Sequence, residues 1–134
     1  MINDLLLDDI AGMAVLDKSD MLAAVASSGA QMREAVGTID RNLLANLADG
    51  VQPRNLVIAG LGGSGVGGEV LRAVIGKATP LPIISERSHS LPGWVGPMDV
   101  VIGISCSGMT EETLSMTAEA GRRGARVITI GAAG

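Results

Sequence analysis

From Arg54 onward the chain alternates short apolar runs with stretches of helical period, and this alternation restricts the fold more than any other feature. The apolar runs are Asn55–Gly60 (NLVIAG), Leu81–Ser85 (LPIIS), Asp99–Ser105 (DVVIGIS) and Ala125–Gly131 (ARVITIG). Between them, Gly65–Ile75 and Thr110–Arg123 have helical patterning, the second with Arg122 and Arg123 at its end and Gly124 as its stop. Continuously apolar strands separated by helices predict a parallel sheet covered on both faces, an α/β fold. With 47% hydrophobic residues but no Phe, no Tyr and one Trp, the core has to be built from Ala, Val, Leu, Ile and Met.

Before about Gly50 the period is helical throughout. Met21, Leu22 and Val25 predict a short helix. Met32, Val36, Ile39, Leu43, Leu44 and Leu47 form one apolar stripe of a longer helix, with Ser28-x-x-Gln31 as its capping box and Asp49-Gly50 and Pro53 as its stop. The organisation expected is therefore a helical segment over residues 1–53 and a sheet-based domain over 54–134. Ala132-Ala133-Gly134 follow directly on a strand. A doubly wound sheet would place a helix there, which predicts a truncated domain, the alternatives being a short natural chain or a partner that covers the gap.

The formal net charge is −4 and the pI near 4.8. This argues against nucleic acid, whose phosphate backbone is bound by clustered Lys and Arg. A small anion is compatible, because hydroxyls and backbone N–H groups can hold it. Cys106 is the single cysteine, so there is neither an internal disulfide nor a metal-type Cys spacing. Met1-Ile2-Asn3-Asp4 carry no basic region before Leu5-Leu6-Leu7, and no apolar run reaches membrane-spanning length. A cytoplasmic protein with no membrane partner, metal or cofactor is expected.

Two strand ends are built for a ligand. The first is Gly60-Leu61-Gly62-Gly63-Ser64-Gly65, where glycines allow close backbone approach and the following helix offers free N–H groups. As bare spacing it also fits a tight turn with no ligand, or a dinucleotide fingerprint with Glu86 as the ribose-binding acid. The second is Ser105-Cys106-Ser107-Gly108-Met109-Thr110-Glu111-Glu112-Thr113. Three hydroxyls, Ser105, Ser107 and Thr110, share one strand-to-helix turn, which suits a phosphate monoester. Capping of the helix by Ser107 or Thr110 accounts for one of these hydroxyls but less well for three.

Together these motifs resemble the first sugar-phosphate-binding (SIS, sugar isomerase) domain of the bifunctional phosphoglucose/phosphomannose isomerases. That family carries Gly-x-Gly-Gly-Ser after its first strand and Ser-Tyr-Ser-Gly-Asn-Thr-Glu-Glu-Thr after its third. Here Cys106 and Met109 replace the Tyr and Asn, and Arg87-x-x-x-Leu91-Pro92 is similar to the family's intervening segment. The resemblance implies a flavodoxin-like, doubly wound SIS sheet preceded by N-terminal helices. It further implies a phosphorylated hexose held by Gly63, Ser64, Ser105, Ser107, Gly108 and Thr110. It places the catalytic groups in a second SIS domain of the same chain, so that no catalytic residue is assigned here, and it implies a homodimer. His89, the single histidine, is expected to be structural or solvent-exposed, Glu112 to serve the helix start, and Cys106 to be an inert wall residue. The competing readings are a non-catalytic sugar-phosphate sensor and, after it, an NAD-binding Rossmann domain.

Overall fold

The computed structural model describes residues 8–42, 45 and 50–132. They fall into two units, one up to Asp49 and one from Gly50.

In the first unit there are three short helices, α1 (Ile10–Leu16), α2 (Met21–Ala26) and α3 (Ser28–Thr38), of which α2 matches the expected short helix and α3 ends at Thr38, before the end of the expected stripe. Asp9 caps α1 by accepting the Gly12 amide at 3.0 Å. The Asp17 carboxylate accepts the amides of Leu22 and Met21, which start α2. Those bonds hold its pKa below the ordinary value. The capping box differs from expectation. Ser27, in helical conformation, precedes α3, and Gln31 Nε2 donates to Ser27 Oγ at 2.7 Å, while Ser28 is already inside the helix. Because α2 runs almost directly into α3, no extended residue remains to act as a conventional cap. Of the expected stripe, Met32 and Val36 lie on α3 and are exposed, and Ile39 is the extended residue after its end. Leu43, Leu44 and Leu47 lie outside the described residues, as do Met1 to Leu7.

The second unit contains a four-stranded, all-parallel sheet. Its strands are β1 (Asn55–Ala59), β2 (Ile83–Glu86), β3 (Asp99–Ser105) and β4 (Arg126–Gly131), in the order β2-β1-β3-β4. Leu56 lies opposite Ile83, Asn55 opposite Asp99, and Val100 opposite Arg126. This is the flavodoxin-like order, with the switch in winding direction between β1 and β3. Helix α4 (Gly62–Ile75) follows β1 and α5 (Glu111–Arg122) follows β3. They cover opposite faces, as right-handed crossovers in opposite directions require. On the α5 side Val57, Ala59 and Val101 pack with Met116, Ala120 and Ala125, and with Leu91 and Val95 from the long β2–β3 connection. On the α4 side Ile58 lies directly beneath Gly68.

Two polar anchors fix the frame. At the amino ends of β1 and β3 the fully buried Asp99 accepts from Asn55 Nδ2 at 2.7 Å, the Gly96 amide at 2.8 Å and Arg54 Nη2 at 3.3 Å. Burial alone would raise its pKa, but the bonds from Asn55, Gly96 and Arg54 outweigh that and lower it. The second anchor ties the β2–β3 connection to α5. Glu119 accepts the Leu91 amide at 2.8 Å, and Arg123 donates to Pro92 O at 2.6 Å and to Glu119 at 2.7 Å.

Helix α4 starts three residues before its expected start at Gly65, because the Gly65 amide closes a helical turn on Leu61 O at 3.2 Å. β2 starts later than expected. Thr79 Oγ1 accepts the Leu81 amide, and Pro82 has no N–H for the ladder.

Candidate functional site

The switch between β1 and β3 brings their carboxyl ends side by side, and each continues into a helix. Ligands of open parallel sheets bind in that crevice. Neither helix start is closed by a side chain: Leu61 precedes α4, Thr110 precedes α5, and neither makes a capping bond. The first-turn N–H groups of both helices thus keep their donor capacity and partial positive charge.

The hydroxyls expected from sequence gather here. Ser105 ends β3 and is only 6% exposed. Its Oγ lies 2.9 Å from Thr110 Oγ1 and 3.5 Å from Ser107 Oγ. Thr110, which could have capped α5, bonds to Ser105 instead. Ser107 accepts the Met109 amide at 3.2 Å, a bond within the turn. Ser64, in the first turn of α4, joins from the other strand end, its Oγ accepting the Cys106 amide at 3.3 Å. Gly63 lies beside it in the same turn, with open space where a Cβ would be. Gly108 turns the loop with φ +70°, and a Cβ there would come within 2.7 Å of Ala132 O. All six expected ligand-binding residues are therefore at one end of the sheet.

His89 is 72% exposed but not isolated, since its Nε2 lies 3.6 Å from Glu112 Oε1. Glu111 and Glu112 occupy the first turn of α5. Cys106 and Met109, the two departures from the family motif, are both exposed on the loop. Glu86 ends β2, but its Oε1 accepts the Arg87 amide at 3.1 Å. Among the described residues no group of His, Cys, Asp and Glu is arranged to hold a metal ion, and no helix is long and apolar enough to cross a membrane.

One feature was not singled out from sequence. A cleft of about 350 Å³ lies between α5 and the carboxyl end of β4, beside the hydroxyl loop, lined by Gly103, Ser105, Gly108, Thr113, Thr117 and Gly131 among others. Thr113 is buried there, and its hydroxyl has no partner among the described residues. Arg87, expected from sequence only as part of the segment between the two motifs, has its Nε 2.9 Å from where a Cβ at Gly65 would be. The missing side chain of that glycine is what admits the guanidinium.

No family model matches the chain. Among curated proteins it is 44% identical over 75 residues to a bifunctional phosphoglucose/phosphomannose isomerase of Caldicellulosiruptor bescii, covering 56% of this chain and 22% of that protein. It is 39% identical over 80 residues to the protein of the same description from Thermoplasma acidophilum, covering 60% of this chain and 25% of the relative. The Thermoplasma volcanium counterpart is 35% identical over 79 residues, 59% of this chain and 25% of the relative. The matches thus span about a quarter of the length of these relatives. Among solved structures, Vibrio vulnificus NanR complexed with ManNAc-6P superposes with a TM-score of 0.63 at 21% identity, covering 92% of this chain and 49% of that one. A hypothetical protein of known crystal structure gives 0.62 at 16% identity, covering 83% and 58%. These two likenesses bear on the fold alone and agree with the flavodoxin-like, doubly wound sheet.

Proposed function

We propose that the chain, which is similar to part of the bifunctional phosphoglucose/phosphomannose isomerases, carries an SIS region of that family and binds the phosphate of a hexose 6-phosphate as the N-terminal half of such an isomerase. The substrates on this reading are glucose 6-phosphate, mannose 6-phosphate and fructose 6-phosphate, in the cytoplasm. The observation that carries it is the convergence of two helix starts without side-chain caps on four hydroxyls, Ser64, Ser105, Ser107 and Thr110. One proton of the Ser105–Thr110 pair is used between them; the remaining hydroxyl protons can be donated, and phosphate oxygens accept several such bonds at once. Amides near Gly63 and Gly108 add backbone donors.

Aldose–ketose interconversion opens the sugar ring and moves a proton between C1 and C2 through an enediol. In this reading the present residues hold and orient the substrate. The proton is moved by groups of a second SIS domain, with a homodimer as the assembly. A sensor of sugar phosphate is the second reading, favoured by Cys106 and Met109, which replace the motif's Tyr and Asn on the exposed side of the loop.

Calorimetry with fructose 6-phosphate, fructose and NAD tests the proposal. Saturable binding of fructose 6-phosphate, with fructose much weaker and NAD without effect, is expected. Micromolar binding of NAD with no response to fructose 6-phosphate would replace this reading with the dinucleotide one. Conversion of fructose 6-phosphate by the protein made from its complete reading frame separates enzyme from sensor.

A further inference from the structure

Four hydroxyls and two helix starts provide dipoles but no full positive charge. A phosphate monoester carries about −1.5 to −2 near neutral pH. Glu86 ends β2, and Glu111 and Glu112 open α5, so the fixed charges around the crevice are themselves negative. In the segments at the carboxyl ends of β1, β2 and β3 (60–65, 86–91 and 105–112) the sequence has one Arg and no Lys, and that Arg is Arg87.

We propose that Arg87 is the cation that pairs with the ligand's phosphate and that Glu69 holds it between binding events. This inference rests on the phosphate-binding reading of the site. Arg87 Nε lies over Gly65, the residue after Ser64, only 2.9 Å from where a Cβ would be, closer than any side chain there would allow. The backbone around Arg87 is fixed. Its amide bonds to Glu86, and four residues on, Leu91 is bonded to Glu119. The side chain is not fixed: it is 44% exposed, and its one ion pair among the described residues is long, 3.9 Å from Nη2 to Glu69 Oε1. Glu69 has a closer partner in Arg72 at 2.9 Å. Glu69 therefore stays neutralised when Arg87 leaves it. An exposed pair of that length holds weakly, whereas a guanidinium presents a planar fork that matches phosphate oxygens. Rotation of Arg87 away from Glu69 exchanges the weaker anion for the stronger.

The test is calorimetric titration of the protein with fructose 6-phosphate, with inorganic phosphate as a second probe, for the parent, Arg87→Met, Arg87→Lys and Ser107→Ala. Arg87→Met is expected to weaken both probes by about ten- to a hundredfold, to leave fructose binding unchanged, and to reduce the salt dependence of binding. Arg87→Lys recovers part of the loss, because the charge returns without the fork. Normal phosphate affinity in Arg87→Met alongside a loss in Ser107→Ala would overturn this inference and leave the hydroxyl site standing. No binding by the parent would remove both. A lowered melting temperature in Arg87→Met with no recovery by Lys would make the residue structural and also overturn the proposal.

Discussion

The amide of Cys106 donates to the hydroxyl of Ser64 at 3.3 Å, joining residues 42 positions apart. The bond couples the loop after β3 to the first turn of α4, so two motifs remote in sequence act as one surface. It uses Ser64 as an acceptor and leaves its proton available to a phosphate oxygen.

Ser107→Ala should therefore weaken fructose 6-phosphate binding by roughly tenfold to over a hundredfold, the value of one hydrogen bond to a charged group. Binding of fructose should scarcely change. Calorimetry with both ligands checks this, and equal losses for the two would reject the phosphate assignment. Loss of Ser107 also frees the Met109 amide. That group is solvent-accessible at an exposed residue, so the fold should tolerate the change.

Much of this frame was legible because the apolar runs are continuous and clearly bounded. β3 occupies the expected residues, Asp99–Ser105, β4 starts one residue later than expected, and α5 is one residue shorter at each end. The start of α4 was less legible because Gly62, Gly63 and Gly65 have low helix propensity. The helix there is set by the bond from Gly65 to Leu61 and by packing on the sheet. The hydroxyl cluster could be listed from composition, yet the link from Ser64 to Cys106 depends on β1 and β3 being neighbours, a matter of strand order. Arg87 was legible as part of the segment between the two motifs, but its neighbours were not, for a similar reason. Its place in the crevice follows from the missing Cβ of Gly65, 22 positions earlier in the sequence.

That absent Cβ gives a stability prediction. In Gly65→Ala the new methyl would come within 2.6 Å of Gly60 O and 2.9 Å of Arg87 Nε. The arginine can move, but the carbonyl of the β1 end cannot. Overpacking of this kind costs about 1–3 kcal/mol, and urea unfolding should show it. Gly63→Ala is the matched control. A Cβ there meets nothing within 4 Å, so alanine should be neutral or more stable by up to about 1 kcal/mol through its better helix propensity. Equal destabilisation by both substitutions would contradict the packing described around Gly65.

Asp99 sets an acid limit on stability. Its folded-state pKa is below the ordinary 3.8, because the bonds from Asn55, Gly96 and Arg54 outweigh the opposing effect of burial. A carboxylate lowered in this way contributes stability above its unfolded pKa and loses it as pH falls through the folded value. Asp99→Asn should therefore be less stable than the parent near neutral pH, by on the order of 2 kcal/mol. The gap should close progressively below about pH 4. Most of the loss is assigned to Asn55 and Gly96, at 2.7 and 2.8 Å, because Arg54 is 58% exposed and 3.3 Å away. Urea unfolding of both proteins from pH 7 to pH 3 reads the difference. A gap of constant size across that range would mean that the carboxylate's charge is not what matters.

The 134 residues by themselves should not isomerise sugar phosphates. Binding a phosphate fixes the substrate but moves no proton, and the step between C1 and C2 needs a base positioned at those carbons. The sequence has one histidine, His89, and it is exposed and faces Glu112. Glu112 itself lies in the first turn of α5, beside the hydroxyls assigned to the phosphate. In a hexose 6-phosphate the reacting carbons are at the far end of the chain from that group, so a carboxylate next to the phosphate is badly placed to reach them. General acid–base groups typically contribute about 10²–10⁴-fold, and their lack should leave only trace turnover. A coupled assay of fructose 6-phosphate conversion, run on this chain and on the product of its complete reading frame, measures the difference. Turnover by the 134 residues approaching the roughly 1–10³ s⁻¹ usual for enzymes would mean that the proton-moving groups lie among them. Glu112 and His89 would then be the first residues to substitute.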